Sequence, residues 1–504
     1  MRCTLIERKD APQFLPKMER CNARTMEIFR RMGLAAKVRA AGLHPDVPMD
    51  VYIVRALNQP PLLRHAYPSV NQARRRIDAC TDGTMPLEPY QLISQYTLEP
   101  LLKSIAETLP SVTVRYGCEF LSFEQDETGV TTRTPSGIIR SKYLVGCDGG
   151  SSAVREQLGI GLSGDGDLLR FHQALYRCDE LFDKIPIVNE EGKAGPGHGR
   201  HYHVADENFT FLIMQDSTRH WTLHARVAED RDMARQFEKT IGVPVDYEML
   251  YVGEWKQNLL LADRYGGGRV FLAGDAVHLV IPTGGLGMNS GVGDAIDLAW
   301  KLAATLRGWG GPKLLPSYEI ERRQVGSRNV AASRYASLGR RKWRGLWRDL
   351  DQLVAVAEVE QRKSNEMIGA ELGYRYAGSP IIADEPGGPE DDFREYRPTS
   401  WPGARLPHVW LEGHKAIQDR IGEGYTLLRL GSFKGSQGLE KEMKAIHAPF
   451  EVLDIADQNA RDLYGCDLIL LRPDLHVAWR GNRAPPQPKE LAARVTGHLP
   501  GGPF

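Results

Sequence analysis

One segment constrains the fold of this chain more than any other. It is a short apolar run that ends in a Gly-Asp pair, passes through three further glycines and enters a helical pattern. The apolar run predicts a buried strand, and the apolar spacing from Asn289 to Leu306 predicts a helix that Gly308 ends. A strand that delivers such a turn to the carboxyl end of a sheet is typical of an open, doubly wound α/β fold. The segment reads Arg269-Val-Phe-Leu-Ala-Gly274-Asp275-Ala-Val-His-Leu-Val-Ile-Pro282-Thr-Gly-Gly285-Leu-Gly287-Met288-Asn289.

The residue types of this segment also predict a ligand. The Asp275 carboxylate can accept hydrogen bonds from sugar or polyol hydroxyls. The glycines allow the backbone to approach a flat ligand, and the free N–H groups at the start of the helix favour negative charge on it. The alternative is a strand, turn and helix without a ligand, but such a unit needs neither the acid nor the glycines.

A second segment, about 127 residues earlier, repeats this arrangement. A strand is followed by an Asp-Gly turn and a helix with a basic residue in its first turn. By itself this segment is equally compatible with a simple tight turn. It reads Leu144-Val-Gly-Cys-Asp148-Gly-Gly-Ser-Ser-Ala-Val-Arg155.

Composition narrows the class of protein. The 504 residues include 64 basic and 64 acidic side chains, so the net charge is zero and neither nucleic acid nor a membrane surface is the expected partner. Seven scattered cysteines without a C-x-x-C pair argue against disulfides or zinc and predict a cytoplasmic protein. No apolar run approaches the roughly 20 residues of a membrane span, and the charged start does not resemble a signal peptide.

Taken together, the two Asp-containing segments resemble the class A flavoprotein monooxygenases. The nearest group is the aromatic-ring hydroxylases of the phenol, 3-(3-hydroxyphenyl)propionate and polyketide hydroxylase type. The resemblance covers nearly the whole chain. Four further segments carry it, namely Arg24–Leu34, Ile93–Glu99, Pro402–His408 and Leu471–Arg480.

The resemblance implies an α/β fold with three units. These are a doubly wound, Rossmann-like FAD-binding domain, an inserted antiparallel substrate sheet, and a C-terminal thioredoxin-like domain. The implied boundaries are 1–170 and 266–345 for the two parts of the FAD-binding domain, 171–265 for the substrate sheet, 346–400 for a helical segment and linker, and 401–504 for the thioredoxin-like domain.

The resemblance also assigns residues to the cofactor. Glu7 would bind the adenosine ribose, and Gln95 and Asp275 the ribose and ribityl side. The Asp148 turn, with Arg155 near it, would touch both FAD and NAD(P)H, and the backbone from Gly287 to Asn289 would face the flavin pyrimidine edge. The full predicted set is Glu7, Lys17, Gln95, Asp148, Arg155, Gly274, Asp275, Pro282, Gly285, Gly287, Met288 and Asn289.

Two departures from the family pattern stand out. Pro16-Lys17-Met18 replaces the family's Pro-Arg-Ala, and Lys lacks the planar fork of Arg. The G-x-G-x-x-G turn that would follow the central strand is absent. We therefore expect about 25–35 residues to be missing before Met1, judged from a βα unit of roughly 30 residues. A misplaced start or a truncation would account for this, and FAD binding would then be weak.

The resemblance implies a FAD-dependent monooxygenase that uses NAD(P)H and O2 to hydroxylate a small phenolic or other aromatic substrate. A base near the phenol is expected in the middle unit, where His201, His203, Tyr202 and Arg226 are candidates between which the sequence does not decide. The histidines have strand spacing and no acid at ligand spacing, so no metal is predicted.

Two alternatives stay open at this point. One is another flavoenzyme of the same fold, such as a reductase or a halogenase, although the W-x-W-x-I-P segment of halogenases is not found. The other is a truncated, non-catalytic remnant without FAD, which a visible spectrum of the purified chain would identify. In the C-terminal unit Cys466 has no partner thiol. We therefore expect that unit to serve structure or subunit contacts, such as those of a homodimer.

Overall fold

The computed structural model describes residues 1–186, 198–215, 217–431 and 435–499. Strands and helices alternate over most of this length. The helices are α1 (Ala23–Arg31), α2 (Ala35–Ala41), α3 (Val70–Asp78), α4 (Gln95–Thr108), α5 (Ala153–Gln157), α6 (Leu181–Lys184), α7 (Asp232–Ile241), α8 (Gly287–Leu306), α9 (Ser317–Arg344), α10 (Leu350–Glu360), α11 (Arg362–Asn365), α12 (Ile368–Leu372), α13 (Gln437–Ala445), α14 (Gln458–Tyr464) and α15 (Pro488–Val495).

The strands build several sheets. In chain order they are β1 (Cys3–Ile6), β2 (Arg20–Cys21), β3 (Val51–Val54), β4 (Leu63–His65), β5 (Gln91–Leu92), β6 (Val112–Arg115), β7 (Ser122–Gln125), β8 (Val130–Thr134), β9 (Gly137–Ser141), β10 (Leu144–Gly146), β11 (Leu162–Asp165), β12 (Arg170–Arg177), β13 (His201–Val204), β14 (Phe211–Met214), β15 (His220–Ala225), β16 (Glu248–Lys256), β17 (Leu259–Ala262), β18 (Gly266–Gly267), β19 (Val270–Leu272), β20 (His278–Leu279), β21 (Trp410–Leu411), β22 (Lys415–Ala416), β23 (Tyr425–Arg429), β24 (Phe450–Asp454), β25 (Leu468–Leu471) and β26 (Val477–Gly481).

The parallel sheet of the doubly wound region is in two parts. In one part β1 pairs in parallel with β6, and in the other β10 pairs in parallel with β19. Within the described residues no strand pairs with both parts. Apolar side chains on the two parts stay accessible, with Leu5 44% and Val145 36% exposed. Because β10 and β19 are neighbours, the Asp148 turn that follows β10 lies beside the Asp275 turn that follows β19.

The middle sheet has seven strands in the order β16-β12-β15-β14-β13-β3-β4. It contains the three strands that alternation predicts around His201, Leu212 and Leu223. It also contains β3 and β4, because β3 pairs in parallel with β13. Residues 51–65 thus belong to this sheet, although the sequence division places them in the first unit. The division missed them because their pairing partner lies about 150 residues later.

Capping side chains fix where several helices begin. Asn22 accepts a hydrogen bond from the Thr25 N–H at the start of α1, and Asp349 does the same for Gln352 at the start of α10. The glycine-rich loop leads directly into α8. No helix in the described part of the chain has both the length and the apolar character that a bilayer span requires.

The C-terminal unit is built on a four-stranded mixed sheet. Its order is β24-β23-β25-β26, in which β23 and β24 are parallel and β25 is antiparallel to both of its neighbours. Buried side chains of this sheet, among them Tyr425 and Leu470, pack in one core with Ala304 and Trp309 at the end of α8. The C-terminal unit is therefore packed directly against the helix that begins at the glycine-rich loop.

Candidate active site

The Gly274–Asp275 turn lies at the carboxyl end of β19, as the sequence predicts. Gly274 has a φ of +64°, and its N–H donates to Asp294 Oδ2 at 3.0 Å. Asp275 is exposed and accepts no described hydrogen bond. The protein around it nevertheless raises the pKa of Asp275 by desolvation. An exposed carboxylate that is partly desolvated can accept hydrogen bonds from a ligand, and the surface formed by Asp275 and the start of α8 is called the cofactor cleft.

A buried ion cluster holds this turn in place. Asp294 lies between His278 Nε2 at 2.8 Å and Arg322 Nε at 2.7 Å, and all three side chains are at most 2% exposed. Burial opposes charge here, but the attraction to Arg322 and His278 lowers the pKa of Asp294, and Asp294 in turn raises that of His278. Sequence reasoning missed this cluster. No local signal marks it, because Asp294 lies on the polar side of the α8 pattern, opposite Val292 and Ile296.

The glycine-rich loop presents the start of α8. Gly284 and Gly285 have φ values of +92° and +67°, which side chains other than glycine rarely adopt. The Asn289 side chain accepts from the Asn22 N–H at 2.9 Å and donates to the Gly285 carbonyl at 2.6 Å. The first N–H groups of this 20-residue helix have no partners inside the helix, as at any helix start. They belong to the predicted residues Gly287, Met288 and Asn289, which follow the exposed Pro282.

Lys17 and Gln95 lie beside the Asp275 turn. The Lys17 N–H donates to Gln95 Oε1 at 3.2 Å. Desolvation raises the pKa of Asp275, whereas the charges of His278 and Lys17 act to lower it, so the lysine is close enough to act on the carboxylate. The structure thus brings together three of the predicted residues from three separate parts of the sequence.

Arg155 connects the two Asp-containing segments. Its buried guanidinium donates to the Ala276 carbonyl at 3.0 Å, and Asp148 accepts from the Val154 N–H in the first turn of its helix at 3.1 Å. Glu7 lies at the end of β1 and accepts from the Lys9 N–H at 2.9 Å. No described hydrogen bond joins Glu7 to the other predicted residues, so its grouping with them stays a prediction.

These features fit a flavin dinucleotide. The exposed Asp275 carboxylate suits hydroxyl groups, and the start of α8 suits a negatively charged ring edge or phosphate. The glycine loop is close to its neighbours, since a Cβ on Gly285 would lie 3.3 Å from Arg20 Nη2. A larger residue at this position would therefore crowd the Arg20 side chain and would also strain the backbone at its positive φ.

Residues 16–20 connect this cleft to the middle sheet. The Pro16 carbonyl accepts from Gln173 Nε2 of β12 at 2.7 Å, and Arg20 Nη2 donates to the Gly284 carbonyl at 3.2 Å. Between them, Glu19 Oε2 lies 3.5 Å from His201 Nε2 of β13. The cleft and one face of the middle sheet therefore meet at a single short segment of chain.

The Glu19–His201 pair is partly exposed but strongly desolvated. The side chains keep 27% and 21% exposure, yet desolvation is the largest influence on both pKa values. Burial alone would raise the pKa of Glu19, but the contact with His201 lowers it to about 2. Burial lowers the pKa of His201 despite Glu19. At neutral pH the pair is therefore a carboxylate beside a neutral imidazole.

The other predicted base candidates occupy different places. His203 is fully buried and accepts from Arg344 Nη2 at 2.6 Å. Tyr202 points to the opposite face of the sheet, where it stacks on Tyr52 at 5.7 Å. Arg226 is exposed and lies over the Phe209 ring. Of the four candidates, His201 combines a partner acid with an accessible ring.

Aromatic rings line the same face of the sheet. Phe211 stacks on His224 with centroids 4.4 Å apart and a 7° interplanar angle. Trp255 Nε1 donates to His224 Nδ1 at 3.2 Å and stacks on Phe171 at 5.2 Å. Burial lowers the pKa of His224 to about 3, so this ring is neutral too. Such a wall is suited to a flat aromatic ligand.

Replacing Asp275 by Ala is expected to weaken flavin binding by about 10- to 100-fold for each hydrogen bond lost to the charged carboxylate. The measurement is the dissociation constant for FAD from flavin fluorescence quenching, compared with that of the unsubstituted chain. Asp351→Ala, which removes an exposed acid in the first turn of α10, is the control and should change nothing. Unchanged FAD affinity in the Asp275 variant would contradict the assignment.

Comparison with known proteins agrees with this geometry. Residues 1–333 match the FAD binding domain family, and residues 399–499 match the aromatic-ring hydroxylase C-terminal domain. The chain is 31% identical, over an alignment 536 positions long, to the FAD-dependent monooxygenase opdD of Penicillium oxalicum. The alignment covers 95% of this chain and 99% of that protein.

Two solved structures extend the similarity to three dimensions. The rebeccamycin biosynthetic enzyme RebC with reduced flavin superposes with a TM-score of 0.87 at 30% identity, covering 98% of this chain and 94% of that one. The ternary complex of aklavinone-11 hydroxylase with FAD and aklavinone gives a TM-score of 0.81 at 27% identity, with the same coverage. With the matched domains and the cleft built on Asp275 and α8, they show that the chain belongs to the FAD-dependent aromatic-ring hydroxylases, a family of flavoprotein monooxygenases.

Proposed function

We propose that this monooxygenase uses NAD(P)H and O2 to hydroxylate a phenolic ring, and that the ring binds between residues 16–20 and the middle sheet. The observation that carries the proposal is the position of the Glu19–His201 pair on the segment that also reaches the flavin cleft. In the aklavinone-11 hydroxylase complex FAD and aklavinone are bound together. No described feature favours the halogenase or the non-catalytic alternative.

In this proposal His201 moves the proton of the phenol. Its Nε2 faces the Glu19 carboxylate, which leaves Nδ1 to accept the proton. The ionised carboxylate then stabilises the imidazolium that results. Removing the proton makes the ring more electron-rich, so the ring reacts more readily with an electrophilic oxygen.

The remaining residues position the cofactor. When bound, FAD supplies the redox chemistry that links NAD(P)H oxidation to oxygen activation. Asp275, Lys17 and Gln95 would hold its hydroxyl-bearing chain, and Arg155 would fix the turn between the two segments. The N-terminus of α8 would stabilise negative charge on the flavin ring by its dipole and N–H groups.

The test is direct. The chain is purified, incubated with FAD and supplied with NADPH or NADH and a panel of phenols under isotopically labelled O2. Mass spectrometry should find one labelled oxygen atom in the product. Oxidation of NAD(P)H without label in any phenol would contradict the proposed hydroxylation.

We propose that the C-terminal unit is thioredoxin-like in fold but not in chemistry. Its β-α-β-α-β-β-α order, with one antiparallel strand in a sheet ordered β24-β23-β25-β26, supports the fold. Cys466 is its one cysteine and is buried, and burial raises the pKa of its thiol, so the reactive thiolate is disfavoured.

Replacing Cys466 by Ser is therefore expected to leave turnover within about twofold of the original, because an inert buried thiol takes no part in catalysis. The assay is product formation per enzyme, with a thermal unfolding curve measured in parallel. A large loss of turnover in a variant that unfolds at the original temperature would contradict the structural role.

All seven cysteines are free. Free thiols persist where the environment is reducing, which supports the proposal that the protein acts in the cytoplasm. A homodimer through the C-terminal unit remains part of the proposal, and size-exclusion chromatography with light scattering would test it.

A further inference from the structure

The proposed substrate space carries an excess of positive charge. Two guanidinium groups come from the last turns of α9: that of Arg344 contacts the buried His203, and that of Arg340 lies one helical turn earlier. The positive charges of both arginines lower the pKa of His203 and His224, and that of Arg340 also lowers the pKa of His201. The carboxylate that opposes these positive charges is that of Glu19. The three histidines have lowered pKa values and add no positive charge.

Neither arginine has a described ion pair. Arg344 is 4% exposed and donates to two uncharged acceptors, the Phe209 carbonyl and His203 Nδ1. The nearby Asp206 carboxylate is already used, since it accepts from the Thr210 hydroxyl and from Gln236 Nε2. Within residues 1–186, 198–215, 217–431 and 435–499, no carboxylate therefore neutralises Arg344 by contact.

Arg340 is the more available of the two. Its Nε is buried without a hydrogen-bond partner, and no described hydrogen bond or ion pair involves its other nitrogens. Burial lowers its pKa to about 10, against the opposing charge of Glu19, so it remains a cation at neutral pH. A desolvated cation without a contacting anion is costly, and an anion that arrives with a ligand removes that cost.

We propose that Arg340 is a specificity-determining residue that binds a carboxylate group of the substrate, and that the substrate is an aromatic carboxylate. This rests on the proposed function, because it places the substrate ring against Phe211, His224 and Trp255. A guanidinium binds a planar carboxylate through two parallel hydrogen bonds, so it orients the ring as well as holding it. Arg344 adds positive potential behind Arg340 but keeps its own hydrogen bonds.

Binding of matched ligands tests this proposal without turnover. The FAD-reconstituted protein is titrated by calorimetry with two pairs, 2-hydroxybenzoate against phenol and 1-hydroxy-2-naphthoate against 1-naphthol. In each pair the ring and its hydroxyl are the same and the carboxylate differs. At least one carboxylated member should bind about 10-fold or more tightly than its partner, as expected for a charge-assisted pair of hydrogen bonds.

Three variants separate charge from packing. Arg340→Met should abolish the preference while leaving the affinity for the uncharged partner unchanged, and Arg340→Lys should keep part of it. Arg334→Met removes an exposed arginine of the same helix that pairs with Asp165, and should behave like the original. FAD and NADPH affinities are measured in all three variants and should not change.

Other outcomes overturn the proposal. If neither carboxylated ligand binds better than its uncharged partner, there is no anion site. An Arg340→Met variant that loses both members of a pair equally has a packing role. Weakened FAD or NADPH binding would assign the charge to a cofactor. Anion preference without hydroxylation would contradict only the proposed function, whereas hydroxylation without anion preference would contradict only this inference.

Discussion

Replacing His201 by Gln is expected to lower the rate of ring hydroxylation by about 100- to 10,000-fold, the range that a positioned general base contributes. Gln keeps a polar side chain of similar reach beside Glu19 but cannot take a proton. Reduction of the bound flavin by NAD(P)H should keep its rate, because His201 acts on the substrate. The measurements are stopped-flow flavin reduction and labelled product per NADPH consumed.

The dependence on pH distinguishes a base from a packing residue. His201 must be neutral to accept a proton, and burial lowers its pKa. Hydroxylation by the original protein should therefore hold its rate on acidification until the pH falls to that lowered pKa, and then decline. In the Gln variant the decline should be absent. Proton uptake by another group would show the same acidic limb in both proteins.

A matched histidine provides the control. His172 lies on β12 of the same sheet and contacts Asp230, 3.4 Å away, as His201 contacts Glu19. His172→Gln should retain turnover. Equal loss in the two variants would mean that the sheet, rather than the proton transfer, is disturbed, and the base would have to be sought elsewhere.

Much of the cofactor cleft could be predicted from the sequence because its signals are local. A strand, a Gly-Asp pair, a glycine loop and a helix follow one another within 21 residues, and the structure places Gly274, Asp275 and the start of α8 as that order requires. The strands around His201 were predictable for the same reason, since alternation is a local pattern.

The substrate face could not be predicted at the same level. Glu19 lies in a loop that no periodic pattern marks, and its role depends on a contact with a residue 182 positions later. Arg340 belongs to a basic run that is typical of a solvated helix face. It departs from such a face because the end of α9 packs on the middle sheet, where Arg344 contacts His203 and Arg340 Nε is buried. The functional roles of these charged side chains depend on tertiary contacts, which a single sequence does not reveal.

A buried ion network joins the C-terminal unit to the helices that carry the cleft, and it too is a product of tertiary contacts. Arg472 donates to Asp297 Oδ1 of α8 at 2.9 Å, to Glu321 Oε1 of α9 at 2.6 Å and to Asp474 Oδ2 at 2.6 Å. Lys301 Nζ lies 2.7 Å from Asp297 and 2.6 Å from Glu321. All five side chains are at most 1% exposed.

Replacing Arg472 by Met is expected to lower the free energy of unfolding by about 3–5 kcal/mol, because Asp474 would lose its arginine and the other two carboxylates of the network would be left with Lys301 alone. Urea denaturation at pH 8 measures the loss. Arg133→Met, which breaks an exposed pair with Glu124, should cost about 1 kcal/mol or less. If both variants lose equally little, the network does not hold the C-terminal unit in place.

The loss should also depend on pH, with a sign that the network fixes. Burial raises the pKa of Asp297 to about 7, and the charge of Arg472 acts against that rise, so removing Arg472 raises the pKa further. A carboxyl whose folded pKa exceeds its unfolded value of about 4 stabilises the fold at low pH, and this stability is lost as the pH rises through the folded pKa. The Arg472→Met variant should therefore lose less stability at pH 5 than at pH 8.

Adding Asp297→Asn should recover part of the loss at pH 8, because the amide removes the excess buried charge that protonation removes at pH 5. A deficit that is equal at both pH values and unchanged in the double variant would show that Arg472 acts through packing alone.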